Sequence, residues 1–265
     1  MKNLRTYLLA GAMLIACSAS AQFVNSGSTS STSTSSPLRN DLTGWDRITV
    51  SYAPLKITTD IKGADDFNLN GLSIGYAKGI SIAKRLPFFI ETGINLQYAT
   101  KSLDWEDAEE TGFDLNQVSY KLDMKISTFN LKVPVNLAYK LTFSNVSLTP
   151  YAGINFKINV LAKTKHSLDD PEDLGPNETE DEFWKDMDEN YEITSTTNMF
   201  DKEEMENNYS LNKDYLWKRF QMGWQIGVGL DYNHFHVGLG YTKDIMELYR
   251  KTKTSSVLVT LGYNF

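Results

Sequence analysis

Five charged side chains lie on the polar faces of segments that are rich in apolar, small and neutral polar residues. They are Arg47, Glu91, Lys132, Lys157 and Asp231. Each falls on the polar side of an alternating pattern, and strands would direct these positions to one face of a sheet. Charges withdrawn from water are retained when they pair with opposite charges. The spacing therefore predicts a network of ion pairs inside the protein, with no catalytic group.

Histidines and loop carboxylates are the candidate metal ligands. His234 and His236 have the i, i+2 spacing that places two ligands on one face of a strand, but no third ligand is close in sequence. His166 precedes a group of carboxylates that could bind calcium through oxygen. That group is Asp169, Asp170, Glu172 and Asp173. It lacks the spacing of a calcium-binding loop, so we predict no metal site.

Composition and motifs exclude several classes of protein. The formal net charge of -7 and the isoelectric point of about 5.1 exclude a basic nucleic-acid binder. Outside the N-terminal segment, no apolar run approaches the roughly 18 residues of a transmembrane helix. The sequence has no phosphate-binding loop of the G-x-x-x-x-G-K-[ST] kind and no recognisable serine and histidine pattern. We therefore predict a protein that is not an enzyme and that uses no cofactor.

Eight segments with an alternation of apolar and polar residues must position the charged side chains. The clearest covers 13 residues, 220–232, with seven apolar side chains on one face. The full set is 47–57, 69–82, 88–100, 118–139, 146–160, 220–232, 235–241 and 255–265. Within 118–139 the apolar residues change phase, which predicts a β-bulge near Ser127 and Thr128.

The chemistry of the two strand faces favours a membrane barrel over a soluble β-sandwich. The polar face is rich in Gly, Asn, Gln, Ser and Thr, which suit the crowded interior of a narrow barrel. The apolar face carries aromatic residues near the strand ends, as membrane interfaces do. These are Phe88, Phe89, Tyr139, Tyr232, Phe235, Tyr263 and Phe265. We predict an all-β fold, a closed antiparallel up-and-down transmembrane β-barrel of eight strands with long extracellular loops.

Short and long connections alternate between the predicted strands. The short ones are 84–87, 142–145 and 233–234, and the long ones are 58–68, 102–117, 163–216 and 242–254. Outer-membrane barrels have short periplasmic turns and long external loops. This pattern predicts that both termini face the periplasm.

The N-terminal segment has the features of a secretory signal peptide. Lys2 and Arg5 precede an apolar stretch at 7–16, and a small-residue cleavage site ends at residue 21. We predict a signal peptide over 1–21, a Ser/Thr-rich periplasmic tail over 22–44 and the barrel over 45–265. A competing interpretation is a lipoprotein signal in which Cys17 is acylated.

The connection over 163–216 is unusually long and acidic. Its 54 residues hold 17 of the 33 carboxylates of the chain, together with several aromatic residues. Loops of this length are generally functional or disordered. A solvated acidic loop is one interpretation, and a docking surface is the other. The residues predicted for such a surface are Asp169, Asp170, Glu172, Asp173, Phe183, Trp184 and Tyr191. If 191–216 added a hairpin, ten strands could form a narrow channel.

Several stretches resemble the small outer-membrane β-barrel proteins of Bacteroidetes, the PorT-like group. They are residues 129–139, 148–153 and 223–230. The C-terminal residues Leu261, Tyr263 and Phe265 resemble the signal that the barrel-assembly machinery recognises. The resemblance implies a closed barrel in the outer membrane, surrounded by lipid and lipopolysaccharide, and it carries no catalytic residues. Together with the acidic loops, it predicts a non-enzymatic barrel for surface interaction, structure or assembly, with an unidentified envelope protein as a possible partner and no nucleic acid. A narrow channel for small solutes or ions is the alternative.

Overall fold

The computed structural model describes residues 41–60, 66–106, 121–169, 174, 178–209 and 216–265. The predicted signal peptide, Cys17 and nearly all of the Ser/Thr-rich tail lie outside these residues. The strands are β1 (Trp45–Tyr52), β2 (Leu55–Thr59), β3 (Phe67–Ser81), β4 (Phe88–Leu103), β5 (Leu122–Tyr139), β6 (Leu141–Phe143), β7 (Val146–Leu168), β8 (Thr196–Asn198), β9 (Phe220–Tyr232), β10 (Phe235–Asp244) and β11 (Thr252–Asn264). The helices are α1 (Glu180–Tyr191) and α2 (Lys202–Tyr209).

Antiparallel pairing joins the strands into a ring. The order is β1, β11, β10, β9, β7, β5, β4 and β3, and β3 pairs in turn with β1 and β2. β1 and β2 together form the first predicted strand, interrupted at Ala53 and Pro54, because proline has no N–H for the ladder. The short strands β6 and β8 attach to β7. The predicted barrel of eight antiparallel strands is confirmed.

The two faces of the ring are the reverse of those in a soluble protein. Large apolar side chains cover the outside, as Leu261 (64% exposed) and Phe235 (66%) illustrate. Polar and charged side chains fill the inside, among them Arg47 (4% exposed) and Gln221 (0%). An apolar outer wall around a polar interior is the arrangement of a barrel surrounded by lipid. Neither helix that the structure describes is long and apolar enough to cross a membrane.

The two ends of the barrel differ in their connections. The turn end carries the short connections, including the hairpin at residues 233–234, where Asn233 adopts a positive φ of 52°. The loop end carries the long connections, including α1, β8 and α2. β7 continues to Leu168, so the loop predicted from residue 163 begins at Asp169. Between Tyr191 and residue 216 the described residues form β8 and α2 instead of a transmembrane hairpin, and the ring keeps eight strands.

The bulge predicted near Ser127 and Thr128 lies close to an observed irregularity of the sheet, but its assignment to β5 is wrong. β5 keeps one phase, and its even-numbered residues face inward throughout, including the apolar Met124 and Ile126. The β5–β7 register shifts between Phe129 and Asn130, and the additional residue is Val160 of β7. Apolar residues near the loop end face inward because loop side chains cover them there.

Phe89 is a second correction. We predicted it on the lipid face, but it is fully buried inside the turn end, with its ring 4.8 Å from that of Trp45. The Trp45 ring also lies against Gly79, where a Cβ would come within 2.3 Å of it. Phe88 and Tyr139 are paired on the outer face, where their rings meet edge-on at 4.9 Å and Tyr139 is largely covered. The other predicted aromatic residues, Tyr232, Phe235, Tyr263 and Phe265, are exposed on the outer wall.

Candidate functional site

Arg47 is the centre of a polar network that crosses the interior at the turn end. Its guanidinium donates from Nε to Asn264 Oδ1 at 2.9 Å and from Nη2 to Asp231 Oδ1 at 3.1 Å. Nη1 lies 3.7 Å from Glu91 Oε2. One guanidinium therefore faces two buried carboxylates, which compensates part of the cost of removing all three charges from water.

His236 adds a further contact to the Arg47 network. Arg47 Nη1 lies 3.1 Å from His236 Nε2, and His236 Nδ1 lies 2.9 Å from Asp231 Oδ1. A guanidinium only donates, so Nε2 must accept, and the proton of the neutral ring is then on Nδ1, which donates to Asp231. The four side chains Arg47, His236, Asp231 and Asn264 thus form a closed cycle of hydrogen bonds.

Glu91 connects this network to the opposite wall. Trp45 Nε1 donates to Glu91 Oε2 at 3.0 Å, and Asn136 Nδ2 donates to Glu91 Oε1 at 3.1 Å. Gln225 Nε2 continues the chain by donating to Asn136 Oδ1 at 2.7 Å. Contacts from several strands therefore close the lumen at this level.

A polar cavity of about 90 Å³ lies beside the network. Lys132 lines it together with residues of the Arg47 network and with Tyr151. Glycines provide the space for the tyrosine: a Cβ at Gly227 or Gly240 would stand 2.4 or 2.6 Å from the Tyr151 hydroxyl. The cavity has room for a few water molecules.

Lys157 forms a second ion pair closer to the loop end. Its ammonium contacts Asp244 and donates to Thr254 Oγ1 at 2.7 Å, and Thr254 also contacts Asp244. Asp244 is absent from the predicted set because the seventh strand was predicted to end at Tyr241. The inward phase of His236 and Thr242 continues to Asp244, and that phase was the available signal.

The five predicted charges thus occupy two ion-pair groups and one cavity position. Arg47, Glu91 and Asp231 are together at the turn end, whereas Lys157 pairs with Asp244. Lys132 faces the cavity between them. The single network that we predicted is therefore divided along the barrel axis.

An apolar cluster closes the interior at the loop end. We call it the rim cluster: Leu55, Ile57, Leu69, Ala99, Leu103, Met124, Ile126, Ala162, Met199, Met205, Trp217 and Leu248. Strand ends supply its floor, while Met199, Met205, Trp217 and Leu248 come from the connections. The long connections therefore fold into the barrel mouth.

The described residues between Asp169 and residue 216 form a cap over the rim cluster. Thr179 begins α1 with a capping box, in which Thr179 and Glu182 bond each other's backbone N–H. Behind α1 lies a second apolar cluster, the cap cluster: Leu168, Leu174, Phe183, Trp184, Met187 and Ile193. Tyr209 of α2 packs against both clusters.

His166 and Tyr209 join the cap to β7. His166 Nε2 lies 2.8 Å from the Tyr209 hydroxyl, which also lies 2.7 Å from Thr164 Oγ1. Burial lowers the pKa of His166 to about 4 and raises the pKa of Tyr209 to about 12. Both groups are therefore neutral at neutral pH. His166 Nδ1 is buried with no partner among the described atoms.

The residues predicted for the docking surface separate into two sets. Phe183 and Trp184 are buried in the cap cluster, so their prediction as contact residues is wrong, because these large rings supply the apolar core of the cap. Tyr191 is 54% exposed, and Asp169 is exposed as well. Asp170, Glu172 and Asp173 lie outside the described residues.

The remaining candidates lie at the turn end. Leu261, Tyr263 and Phe265 face outward on the last strand and beyond it, as their alternation predicts. His234 is exposed in the hairpin and stacks on Tyr263, whereas His236 faces inward, so the two histidines do not converge. In the part of the chain that the structure describes, no group of three or more His, Cys, Asp or Glu side chains could hold a metal ion.

Several solved structures are similar to this chain. The attachment invasion locus protein Ail of Yersinia pestis is 12% identical, with 84% of this chain and 99% of that chain covered and a TM-score of 0.40. Neisserial surface protein A is 10% identical, with 83% and 97% covered and a TM-score of 0.38. The outer membrane enzyme PagL is 10% identical, with 82% and 99% covered and a TM-score of 0.38. None of the curated proteins matches the sequence.

A family profile provides the assignment. The profile described as "Outer membrane protein beta-barrel domain" matches residues 47–248, which is most of the chain and nearly the whole ring of strands. The eight-stranded ring, its polar interior and its apolar outer wall agree with that description. The chain therefore belongs to the outer membrane protein beta-barrel domain family.

Proposed function

We propose that this protein is a non-enzymatic outer-membrane barrel whose acidic cap binds a partner at the cell surface. The observation that carries the proposal is the folded cap itself. The rim cluster and the cap cluster hold it on the barrel mouth, while most of its described carboxylates are exposed to solvent. A connection that served only to join two strands would not need an apolar core of its own.

The exposed side of α1 indicates the chemistry of that partner. Asp181, Asp186, Asp188 and Glu189 are exposed, and Lys185 is the basic residue among them. Complementary charge on the partner would steer binding. The partner is therefore a cationic surface of an envelope protein, and Tyr191 supplies an aromatic contact beside the carboxylates.

The proposal places the loop end outside the cell and both termini in the periplasm. The difference between short turns and long loops supports this orientation. Lipopolysaccharide then surrounds the wall near the loop end, and the barrel-assembly machinery recognises Leu261, Tyr263 and Phe265. We also propose that, within its family, the chain belongs to the PorT-like group of Bacteroidetes.

Maleimide labelling of intact cells tests the proposed orientation: Lys185→Cys should react, and Lys84→Cys at the turn end should not.

Photo-crosslinking in intact outer membrane tests the partner. A photoreactive residue at Tyr191 should give a discrete adduct, and the same residue at Lys84 serves as the control. The double variant Asp188→Asn/Glu189→Gln should weaken that adduct. These positions are near the helix C-terminus, where the helix dipole disfavours carboxylates, so neutralising them should leave α1 folded. Equal adducts at both positions, or an adduct that ignores the neutralisation, would contradict the proposal.

A narrow channel is the second candidate, and the polar cavity beside Lys132 is what favours it. The Arg47 network, the Lys157–Asp244 pair and the rim cluster lie across the path at successive levels. Planar-bilayer recordings of the purified protein should therefore show no conductance above background. Discrete conductance steps would support the channel instead.

A further inference from the structure

Three lysines lie together on the outer wall of the barrel near the loop end. Lys125 of β5 is directly opposite Lys165 of β7, and Lys163 is opposite Ser127 on the same face. All three lysine side chains are exposed. Directly opposed residues have Cβ atoms about 5 Å apart, and diagonal neighbours are about 7–8 Å apart. The three ammonium groups can therefore converge on one point; we call this group the lysine patch.

Three other lysines of the barrel have acidic partners. Lys56 pairs with Asp66 at 3.2 Å, Lys78 with Asp46 at 2.9 Å and Lys140 with Asp41 at 2.7 Å. Within the described parts of the chain, no carboxylate stands within ion-pair distance of Lys125, Lys163 or Lys165. Among the described residues, the patch is thus a group of positive charges without an acidic partner.

Among the described residues, the carboxylate nearest to the patch along the β5–β7 pairing is Asp123, and it forms no ion pair with the three lysines. Asp123 is paired with Ser167, one step further from the membrane than the Lys125–Lys165 pair. Its Oδ1 accepts a hydrogen bond from the Trp105 backbone N–H at 3.1 Å. Like charges placed directly opposite each other destabilise a sheet. An anion that lies between the ammonium groups would remove that repulsion.

The patch lies where the lipid-facing wall ends. Outward residues on β7 change from Ile154, Ile158 and Val160 to Lys163 and Lys165. The exposed ring of Tyr98 is at the same level, with its hydroxyl within electrostatic reach of Lys125 and Lys163. Amphipathic aromatic rings and lysines mark the headgroup level of a membrane. At this depth, a membrane supplies the phosphate groups of its lipid headgroups as anions.

We propose that Lys125, Lys163 and Lys165 bind a phosphate group of a membrane lipid. A phosphate monoester carries up to two negative charges and three acceptor oxygens, which matches three converging ammonium groups. The apolar wall below the patch, including Val160, contacts the acyl chains of the same lipid. This combination selects a lipid phosphate over free phosphate. The proposal is independent of the cap and of its partner.

Lipid binding to the purified full-length protein in uncharged maltoside micelles tests the proposal. The probe is bisphosphorylated lipid A, titrated beside its dephosphorylated form and beside inorganic phosphate. The triple variant Lys125→Gln/Lys163→Gln/Lys165→Gln should bind the phosphorylated probe on the order of 100-fold more weakly than the wild type. Lys243→Gln is the matched control, because Lys243 is also exposed near the loop end but has no lysine opposite it. Its neighbours across the sheet are Ser255 and Trp224. Its affinity should stay within about twofold of the wild type.

The proposal is overturned if the triple variant binds as the wild type does, if Lys243→Gln loses as much affinity, or if the dephosphorylated probe binds equally well. Displacement by equimolar inorganic phosphate would reject the lipid as the source of the phosphate. If the triple variant does not fold, Lys165→Gln replaces it. This single change removes the cross-strand repulsion, so it should fold at least as well as the wild type and still bind several-fold more weakly.

Discussion

The two ends of this barrel are closed by opposite kinds of chemistry. At the turn end, strand residues close the interior mainly through charges and hydrogen bonds centred on Arg47, beside the smaller Trp45–Phe89 contact. At the loop end, apolar strand ends meet apolar side chains from the connections, among them Met205 and Trp217. The residues that close the turn end follow the regular alternation of inward and outward side chains along the strands. The residues that close the loop end come from segments far apart in sequence that meet only after folding.

This difference determines how each end should respond to mutation. Removing one charge from a buried network destabilises the protein, because the opposing charges are left without a partner in a medium of low polarity. An apolar cluster loses contact area in proportion to the atoms deleted. The turn end should therefore respond through the stability of the whole barrel, and the loop end through detachment of the cap.

Replacement of Arg47 by Met should give the largest effect. Glu91 and Asp231 would remain buried without their cation, at a cost of about 3–5 kcal/mol in the free energy of unfolding. Urea titration of the protein in lipid vesicles, followed by tryptophan fluorescence, measures this loss. Lys78→Met is the control, because its pair with Asp46 is exposed and its loss should be undetectable. Equal stability of Arg47→Met and the wild type would show that the network does not stabilise the turn end.

Most of the turn end could be predicted from the sequence. The segment 220–232 is a strand with the same bounds, and the charges at Arg47, Glu91 and Asp231 all face inward. Alternation alone determines these positions. It does not determine which charges meet, so the division between the Arg47 network and the Lys157–Asp244 pair required the register of the strands.

The loop end could not be predicted in the same way. Met124 and Ile126 are apolar on the inner face, and an apolar inner face has the same sequence pattern as a lipid face shifted by one residue. Because of that ambiguity, the bulge was predicted on β5, whereas the additional residue is in β7. Phe183 and Trp184 were assigned to a contact surface because neither the cap nor its apolar core is visible in an acidic loop that lacks strand periodicity.

Truncation of Met205 tests the apolar closure. Met205 is fully buried in the rim cluster, so Met205→Ala should weaken cap docking by about 2–5 kcal/mol. Limited proteolysis between residues 169 and 216 should become faster, whereas the urea midpoint of the barrel should change little. Uniform destabilisation of cap and barrel would contradict the separation between the two ends.

Acid should loosen the loop end through His166. Burial lowers the pKa of this side chain from 6.5 to about 4 in the closed cap, so an opened cap binds the proton first. The closed state is fully stable above pH 6.5 and loses about 1.4 kcal/mol per pH unit as the pH falls towards 4. Proteolysis of the cap at a series of pH values, with an acid-tolerant protease, measures the change.

His166→Leu supplies the comparison for the pH series. The variant should lose the decline between pH 6.5 and 4 while keeping the apolar contacts. The Asp123 carboxyl has a pKa raised by burial and by the charges of Asp169 and Asp104, so its contribution has the opposite sign and is present in both proteins. Parallel pH profiles for the two proteins would refute the role of His166.

The smallest effect is expected at the start of α1 and concerns whether the cap is one unit or two. Thr179→Ala removes the capping box and should cost about 1 kcal/mol of helix stability. Because α1 packs in the cap cluster and α2 supplies Met205 to the rim cluster, cleavage within α1 should accelerate while α2 stays protected. Tyr209 contacts both clusters and is the contact through which they could couple. If α1 and α2 become susceptible together in hydrogen exchange, the cap opens as a single unit, and the loop end is then as cooperative as the turn end.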